Sequence, residues 1–320
     1  MFSKPHCPVV AIEEHYWDEE LGRTFTGAEA ARPGEISKRL HDLGALRLKE
    51  MDEAGIDMQV LSHGAPATQR LEADVAVALT RRVNDRLHAV VAGNPGRFAA
   101  FAALPTAVPE AAADELERTA ALGFKGAMLH GLANGVFLDD QRFRPIFARA
   151  ERLDLPVYLH PSLPHPDVLR VYYGEYVKDF PMLAQPAWGY TVEAATLAIR
   201  MVLSGVFEKH PKLKIILGHL GETLPFLVWR INQALARPGQ KSVGFRDIFC
   251  NNFYITTSGN FSNPALLCCV MEMGVEHILF AVDYPFVMNP PATQWMAGVP
   301  LCDEDKARIL SGNAKRLLRL

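Results

Sequence analysis

Short, near-continuously apolar runs alternate with longer stretches of helical periodicity from one end of the chain to the other. The apolar runs fall at 9–13, 57–62, 98–103, 125–130, 155–160, 213–219, 252–258 and 277–283. Runs of this length without polar alternation predict strands buried on both faces, as in parallel sheets. Helical patterns fill the gaps at 46–54 (closed by Gly55), 75–92, 109–121, 141–152, 191–208, 222–235, 264–273 and 303–318. Eight strands, each followed by a helix, predict a parallel (β/α)8 TIM barrel of the α/β class. Two stretches break the alternation, 16–41 and 161–190. The second carries five prolines with Tyr172, Tyr173, Tyr176 and Trp188. Both follow strands, so both are expected as loop insertions on the C-terminal face of the barrel. An aromatic loop there either lines an apolar, planar pocket or packs as a surface or subunit contact.

Composition narrows the class without changing this picture. The chain has 320 residues, 49% hydrophobic and 22% charged, which is ordinary globular usage. No repeat, linker or low-complexity tract divides it, so residues 1–320 are expected as one domain. The net charge of -3 gives no pull toward nucleic acid or anionic lipid. No apolar run approaches the roughly 18 residues of a membrane span, and the short apolar stretch before Glu13 does not read as a signal peptide. Five cysteines, two of them adjacent (Cys268 and Cys269) and none in a C-x-x-C pair, read as reduced thiols in a cytoplasm.

The strand ends carry the candidate chemistry. Val9-Val10-Ala11-Ile12 runs into Glu13, Glu14 and His15. Val157-Tyr158-Leu159 ends in His160, Ile215-Ile216-Leu217-Gly218 ends in His219, and the run 278–282 ends in Asp283. Catalytic groups of barrel enzymes sit at such ends. Residues two apart on a strand point the same way, so Glu13 and His15 can share a metal while Glu14 points elsewhere. Two carboxylates and two imidazoles (Glu13, His15, His160 and Asp283) suit one divalent ion, Zn²⁺ or Mn²⁺. A single histidine on an apolar strand is more often a hydrogen-bonded core residue than a ligand; the joint placement is what argues for a metal. His219 is placed to polarise a substrate or relay a proton. Glu222, three residues on, either fixes the His219 ring or is a carboxylate favoured at a helix N-terminus. Arg230 is either a carboxylate binder or a surface helix arginine. His63 and His130 also close strands and are candidate pocket residues.

With these residues in view the chain resembles the amidohydrolase superfamily, in the branch of gamma-resorcylate decarboxylase and related ortho-hydroxybenzoate decarboxylases. The resemblance is carried by Ala11-Ile12-Glu13-Glu14-His15, Tyr158-Leu159-His160-Pro161, Ile216-Leu217-Gly218-His219-Leu220-Gly221-Glu222, Ile255-Thr256-Thr257-Ser258-Gly259-Asn260-Phe261 and Asp283-Tyr284-Pro285-Phe286. It implies that Glu13, His15, His160 and Asp283 bind the ion, that His219 and Glu222 form a catalytic pair, and that Arg230 lies near the substrate. Phe25 and Phe286 occupy positions that could sandwich an aromatic ring, or simply pack. Two positions depart from close relatives of the decarboxylase: His130 stands where Asn is usual, and Ser162 where Arg is usual.

The resemblance implies a lyase that takes a small aromatic carboxylic acid with an ortho hydroxyl and releases CO2 and a phenol without an organic cofactor. Asp283, protonated, would deliver the ring proton. The rival readings are a metal-dependent hydrolase of an amide, lactone or C–C bond, and a non-catalytic metal-binding protein. A homo-oligomer, dimer or tetramer, is expected.

Overall fold

The computed structural model describes residues 6–320 except 28, 29, 31 and 242. Strands β1 (Val10–Tyr16), β2 (Met58–His63) and β3 (Phe98–Ala100) form one parallel sheet. Strands β4 (Ala127–His130), β5 (Val157–His160), β6 (Ile215–Leu217), β7 (Phe253–Thr256) and β8 (Ile278–Leu279) form a second. Single parallel bridges span both seams, Ala102 to Ala127 and Glu14 to Tyr284. Backbone bonds reinforce them, Met128 N–H to Ala102 O at 3.0 Å and Ile12 N–H to Phe280 O at 3.2 Å. The strands thus follow one another around a TIM-type barrel in chain order, and all eight expected strands are present.

Alternation along the strands sorts the apolar side chains into two layers. Val10, Ile12, Val60, Phe101, Met128, Tyr158, Ile216 and Leu279 pack together inside the barrel, with Leu317 and Leu318 beneath them. Ala11, Leu61, Leu129, Leu159, Leu217, Ile255 and Phe280 belong to the layer that meets the surrounding helices. Each large apolar side chain so buried stabilises the fold by roughly 1.5–3 kcal/mol, and a close-packed interior makes a stiff platform for the strand ends. The helices follow the same logic. In Ala73–Gly93 the buried positions are Ala76, Leu79, Thr80, Val83, Asn84 and Leu87, one stripe at helical spacing.

Several elements differ from the sequence expectation. The insertion 16–41 contains two helices, Glu19–Gly22, capped by Asp18, and Gly34–His41. The insertion 161–190 contains only short turns of helix, among them Leu169–Tyr173 and Pro181–Ala184. The expected helix 191–208 is split into Gly189–Leu203 and Val206–Lys209, because Gly205 turns left-handed at φ 73°. Helices Phe245–Asn252 and Asn289–Gly298 were not expected. Strand β8 is shorter than 277–283 because side chains take over its hydrogen bonds. The Ala281 N–H donates to Thr257 Oγ1 at 3.0 Å and the Val282 N–H to Glu14 Oε1 at 2.9 Å. Among the described residues no helix is long and apolar enough to cross a membrane, and all five cysteines are free.

Candidate metal centre and catalytic face

An irregularity in β1 aims the first two ligands. Val10 and Ile12 face the barrel interior, so strict alternation would turn Glu14 inward after them. The β1–β2 register instead shifts between Ala11 and Glu14. Such a bulge reverses the parity of the strand, and Glu13 and His15 face the interior. Glu14 is left at the seam, accepting the N–H groups of Val282 at 2.9 Å and Tyr284 at 3.2 Å. Burial pushes its carboxyl well above the usual range. His160 closes β5, and Asp283 follows β8 in a left-handed conformation at φ 76°.

One donor atom from each of Glu13, His15, His160 and Asp283 lies within 4.8 Å of all the others. His160 Nε2 is 3.3 Å from Glu13 Oε1, and His15 Nε2 is 3.3 Å from Asp283 Oδ1. The Tyr158 hydroxyl donates to Glu13 Oε2, as does Thr256 Oγ1 at 3.0 Å. Glu13 Oε1 is thereby left facing the imidazoles. Among the described residues, Glu13 Oε1 and His15 Nε2 are buried with no hydrogen-bond partner. A buried polar atom left so costs about 1–3 kcal/mol, and two of them aimed at one point fit a divalent cation held by mixed N and O donors. Charge agrees with this. Burial alone would raise the Glu13 carboxyl, but His219, His160 and His15 hold it well below the usual range. Burial lowers His15, which keeps its imidazole neutral and its lone pair available.

His219 is presented by an unusual turn. His219, Leu220, Gly221, Glu222 and Thr223 all have positive φ, between 52° and 75°. Four of these are not glycine, and left-handed geometry in such residues is strained. The His219 N–H donates to Ser258 Oγ at 3.1 Å, and its ring Nδ1 lies 2.7 Å from Glu222 Oε1. Its Nε2 stands 3.7 Å from Glu13 Oε1 and 3.9 Å from Asp283 Oδ2. Burial alone would lower the imidazole, but the Glu222 and Glu13 carboxylates hold it well above its ordinary value. Asp283, half-buried beside it, is held lower by the His15 and His219 rings.

These groups open onto a cavity of about 300 Å³ lined by His160, His219, Asp283, Phe286, Arg32 and Tyr190, with Met182 and Gln185 from the second insertion. The volume lies at the small end of ligand sites, with apolar walls and few polar groups. The Phe286 ring sits 5.7 Å from the His15 ring. The Arg32 guanidinium lies over Phe286 at 5.5 Å and over Trp17 at 5.3 Å. A larger groove of about 880 Å³ adjoins His219 and Asp283 and runs out past Trp188, Phe226 and Met271. Sequence reasoning missed Arg32, Met182, Gln185 and Tyr190. Each sits on or beside an insertion with no strand periodicity to flag it.

Other expected site residues lie elsewhere. His63 is buried between insertion and strand: its Nε2 accepts the Asp18 N–H at 3.0 Å and its Nδ1 donates to Gly64 O at 2.8 Å. Burial pushes it down to about 4. Phe25 packs on Trp17 at 5.2 Å and His63 at 5.8 Å, away from the cavity lining. His130 is buried behind His160, and Ser162 is buried against Gly131. Arg230 is exposed on helix Leu224–Ala234 beside Trp229 and lines neither cavity. The structure therefore gathers Glu13, His15, His160, His219, Glu222, Asp283 and Phe286, and leaves His63, His130, Phe25 and Arg230 outside the cavity walls.

The amidohydrolase family model matches residues 11–320. A gamma-resorcylate decarboxylase of Rhizobium sp. (strain MTP-10005) is 38% identical, over 97% of this chain and 98% of its own. The structure of a 2,6-dihydroxybenzoate decarboxylase complexed with 2,6-dihydroxybenzoate superposes with TM-score 0.90 at 38% identity, over 98% of this chain and 100% of the other. A dihydroxybenzoic acid decarboxylase from Polaromonas sp. JS666, with bound manganese and the inhibitor 2-nitroresorcinol, also gives 0.90 at 38% identity, over 98% of this chain and 97% of the other.

Proposed function

The chain belongs to the amidohydrolase family, and on that premise we propose that it is a metal-dependent decarboxylase of a small ortho-hydroxy aromatic acid, of the dihydroxybenzoate or salicylate type. The observation that carries this reading is the convergence of four metal-donor atoms within 4.8 Å beside a cavity of about 300 Å³ walled by Phe286. Glu13, His15, His160 and Asp283 would hold one divalent ion, Zn²⁺ or Mn²⁺. When bound, such an ion supplies a Lewis acid that orients the carboxylate and the ortho oxygen.

The chain's own groups account for the rest. Phe286 offers a flat apolar wall to the ring. His219, held protonated by the Glu222 and Glu13 carboxylates, stands 3.9 Å from Asp283 Oδ2, a gap that one water can bridge to relay a proton. Asp283 delivers it to the ring carbon that bears the carboxylate. The C–C bond then breaks, its electrons return to the ring, and CO2 leaves a phenol. Arg230, which the resemblance puts near the substrate, is exposed and lines neither cavity of this chain, so R230A is expected to leave KM nearly unchanged. Residues 1–320 are read as one barrel domain working in the cytoplasm. We also read the protein as a homo-oligomer. Phe226 and Trp229 are 82% and 69% exposed on one helix, and Phe226 lines one groove with exposed Trp188 and Met271. Clustered exposed aromatics mark an interaction surface, and light scattering should report a dimer or tetramer.

The test is incubation of metal-loaded protein with 2,6- and 2,3-dihydroxybenzoate in heavy water. CO2 and the matching phenol are expected, with one deuterium at the former carboxylate carbon. The 3- and 4-hydroxybenzoates, without an ortho oxygen, should be inert. Equal turnover of those isomers would remove the chelation mechanism, and a water-derived acid as product would point to a hydrolase.

A further inference from the structure

We propose that His130 is a positioning residue for the metal ligand His160: together with Pro161 O it accepts the His160 Nδ1–H, and it sets the aim of that ring. The inference rests on the metal site of the preceding section but not on the reaction assigned to it. In the parallel β4–β5 register His130 lies directly opposite His160, so the two side chains rise together on the inward face. Their Nδ1 atoms are 3.0 Å apart, and the rings meet nearly edge to face with centroids 4.7 Å apart.

The proton positions follow from the other partners. His130 Nε2 lies 2.9 Å from the carbonyl oxygen of His63, which can only accept. His130 therefore carries its proton on Nε2 and presents a lone pair on Nδ1. His160 Nδ1 lies 2.7 Å from the carbonyl oxygen of Pro161, which again can only accept. His160 therefore carries its proton on Nδ1, shared between Pro161 O and His130 Nδ1. Its Nε2 is left as a bare lone pair facing Glu13 Oε1 at 3.3 Å. The chain His63 O, His130, His160 and ion is thus polarised in one direction. A histidine ligand whose second nitrogen is held by such a partner is a better and better-aimed donor, typically by 10–100-fold in metal affinity. The burial of His130, which is 1% exposed, and its absence from the cavity wall separate this role from contact with substrate.

The experiment measures Mn²⁺ affinity of apoprotein by calorimetry, with thermal unfolding of the same samples. H130L, which cannot accept, should bind Mn²⁺ 10–100-fold more weakly with apo Tm little changed. H130N places an amide oxygen near the Nδ1 position and should recover most of that loss. KM at saturating metal should be unchanged in H130N. Affinity in folded H130L within twofold of wild type would overturn the proposal, as would a raised KM with metal binding intact. If H130L does not fold, the wild-type apoprotein decides. Nitrogen-15 spectra of the histidine rings should show His130 as the Nε2–H tautomer and His160 as the Nδ1–H tautomer. The opposite tautomer on His130 would refute the assignment. A decarboxylase assay that fails while these results hold would count against the reaction and not against this role.

Discussion

His219 Nδ1 sits 2.7 Å from Glu222 Oε1, and both residues belong to one run of left-handed backbone. The turn that exposes the imidazole also brings its counter-charge under it. Glu222, 1% exposed, has little else to do there than hold and charge that ring.

Replacing Glu222 by Gln keeps a hydrogen-bonding oxygen and removes the charge. Glu222 and Glu13 together hold His219 well above its ordinary value, so losing one carboxylate lowers it. If protonated His219 supplies the proton, the alkaline limb of the kcat profile should move to lower pH, and kcat at pH 8 should fall by about tenfold or more. A profile of unchanged shape, lower only in height, would assign Glu222 to ring orientation alone.

Asp283→Asn separates binding from chemistry. The amide oxygen can still face the ion site, but the group can no longer carry a transferable proton. With metal content checked, kcat should fall by at least roughly 10²-fold, while affinity for an ortho-hydroxy acid changes less. A metal-loaded variant with near-normal kcat would move proton delivery to His219.

Gly221 tests the strained turn. Its φ is +75°, and a Cβ there would come within 3.0 Å of Ile255 Cγ2 and of the Pro225 ring. Gly221→Ala adds a left-handed penalty of about 1 kcal/mol or more to a steric one. Urea unfolding should show a loss of roughly 1–3 kcal/mol, with kcat lowered because His219 shifts. Unchanged stability and activity together would mean that the turn relaxes freely.

How much of this could be read from the sequence depends on whether the information was local. Glu13 with His15, His160, His219 and Asp283 were readable because each ends an apolar run and strand geometry is a short-range property. The bulge that turns Glu13 inward was not, since it is a mismatch between β1 and β2 and neither strand alone encodes it. The place of His130 behind His160 follows from the β4–β5 register, which is likewise a property of the pair. Arg32 escaped notice because an insertion has no period from which to infer a direction. Helix Phe245–Asn252 is not legible because the alternation of strand and helix is complete without it. Phe25 and Arg230 lie outside the cavity lining, a matter of how insertion and helix pack that neither local stretch encodes.

Glu193 supplies the last prediction, on stability and not on chemistry. It is buried in helix Gly189–Leu203, its Oε1 has no hydrogen-bond partner among the described residues, and burial pushes its carboxyl up to about 7, partly offset by Arg200. A carboxyl raised in the folded state binds its proton more tightly there than in the unfolded chain. Below the unfolded value of about 4.5 both states are protonated and nothing is lost. Between about 4.5 and 7 the unfolded chain ionises first, so stability falls as pH rises, by up to about 3 kcal/mol, and then levels off. Glu193→Gln is neutral at every pH and escapes this loss, and the neighbouring Tyr173 hydroxyl, also buried without a partner, is available to its amide. Urea midpoints of the apoproteins should therefore differ by roughly a quarter of the full effect at pH 5 and by nearly all of it at pH 8, with the variant the more stable. Taking the difference between the two proteins cancels every other titrating group. A gap of the same size at both pH values would show that Glu193 is already ionised in the fold at pH 5, and the burial argument would fail.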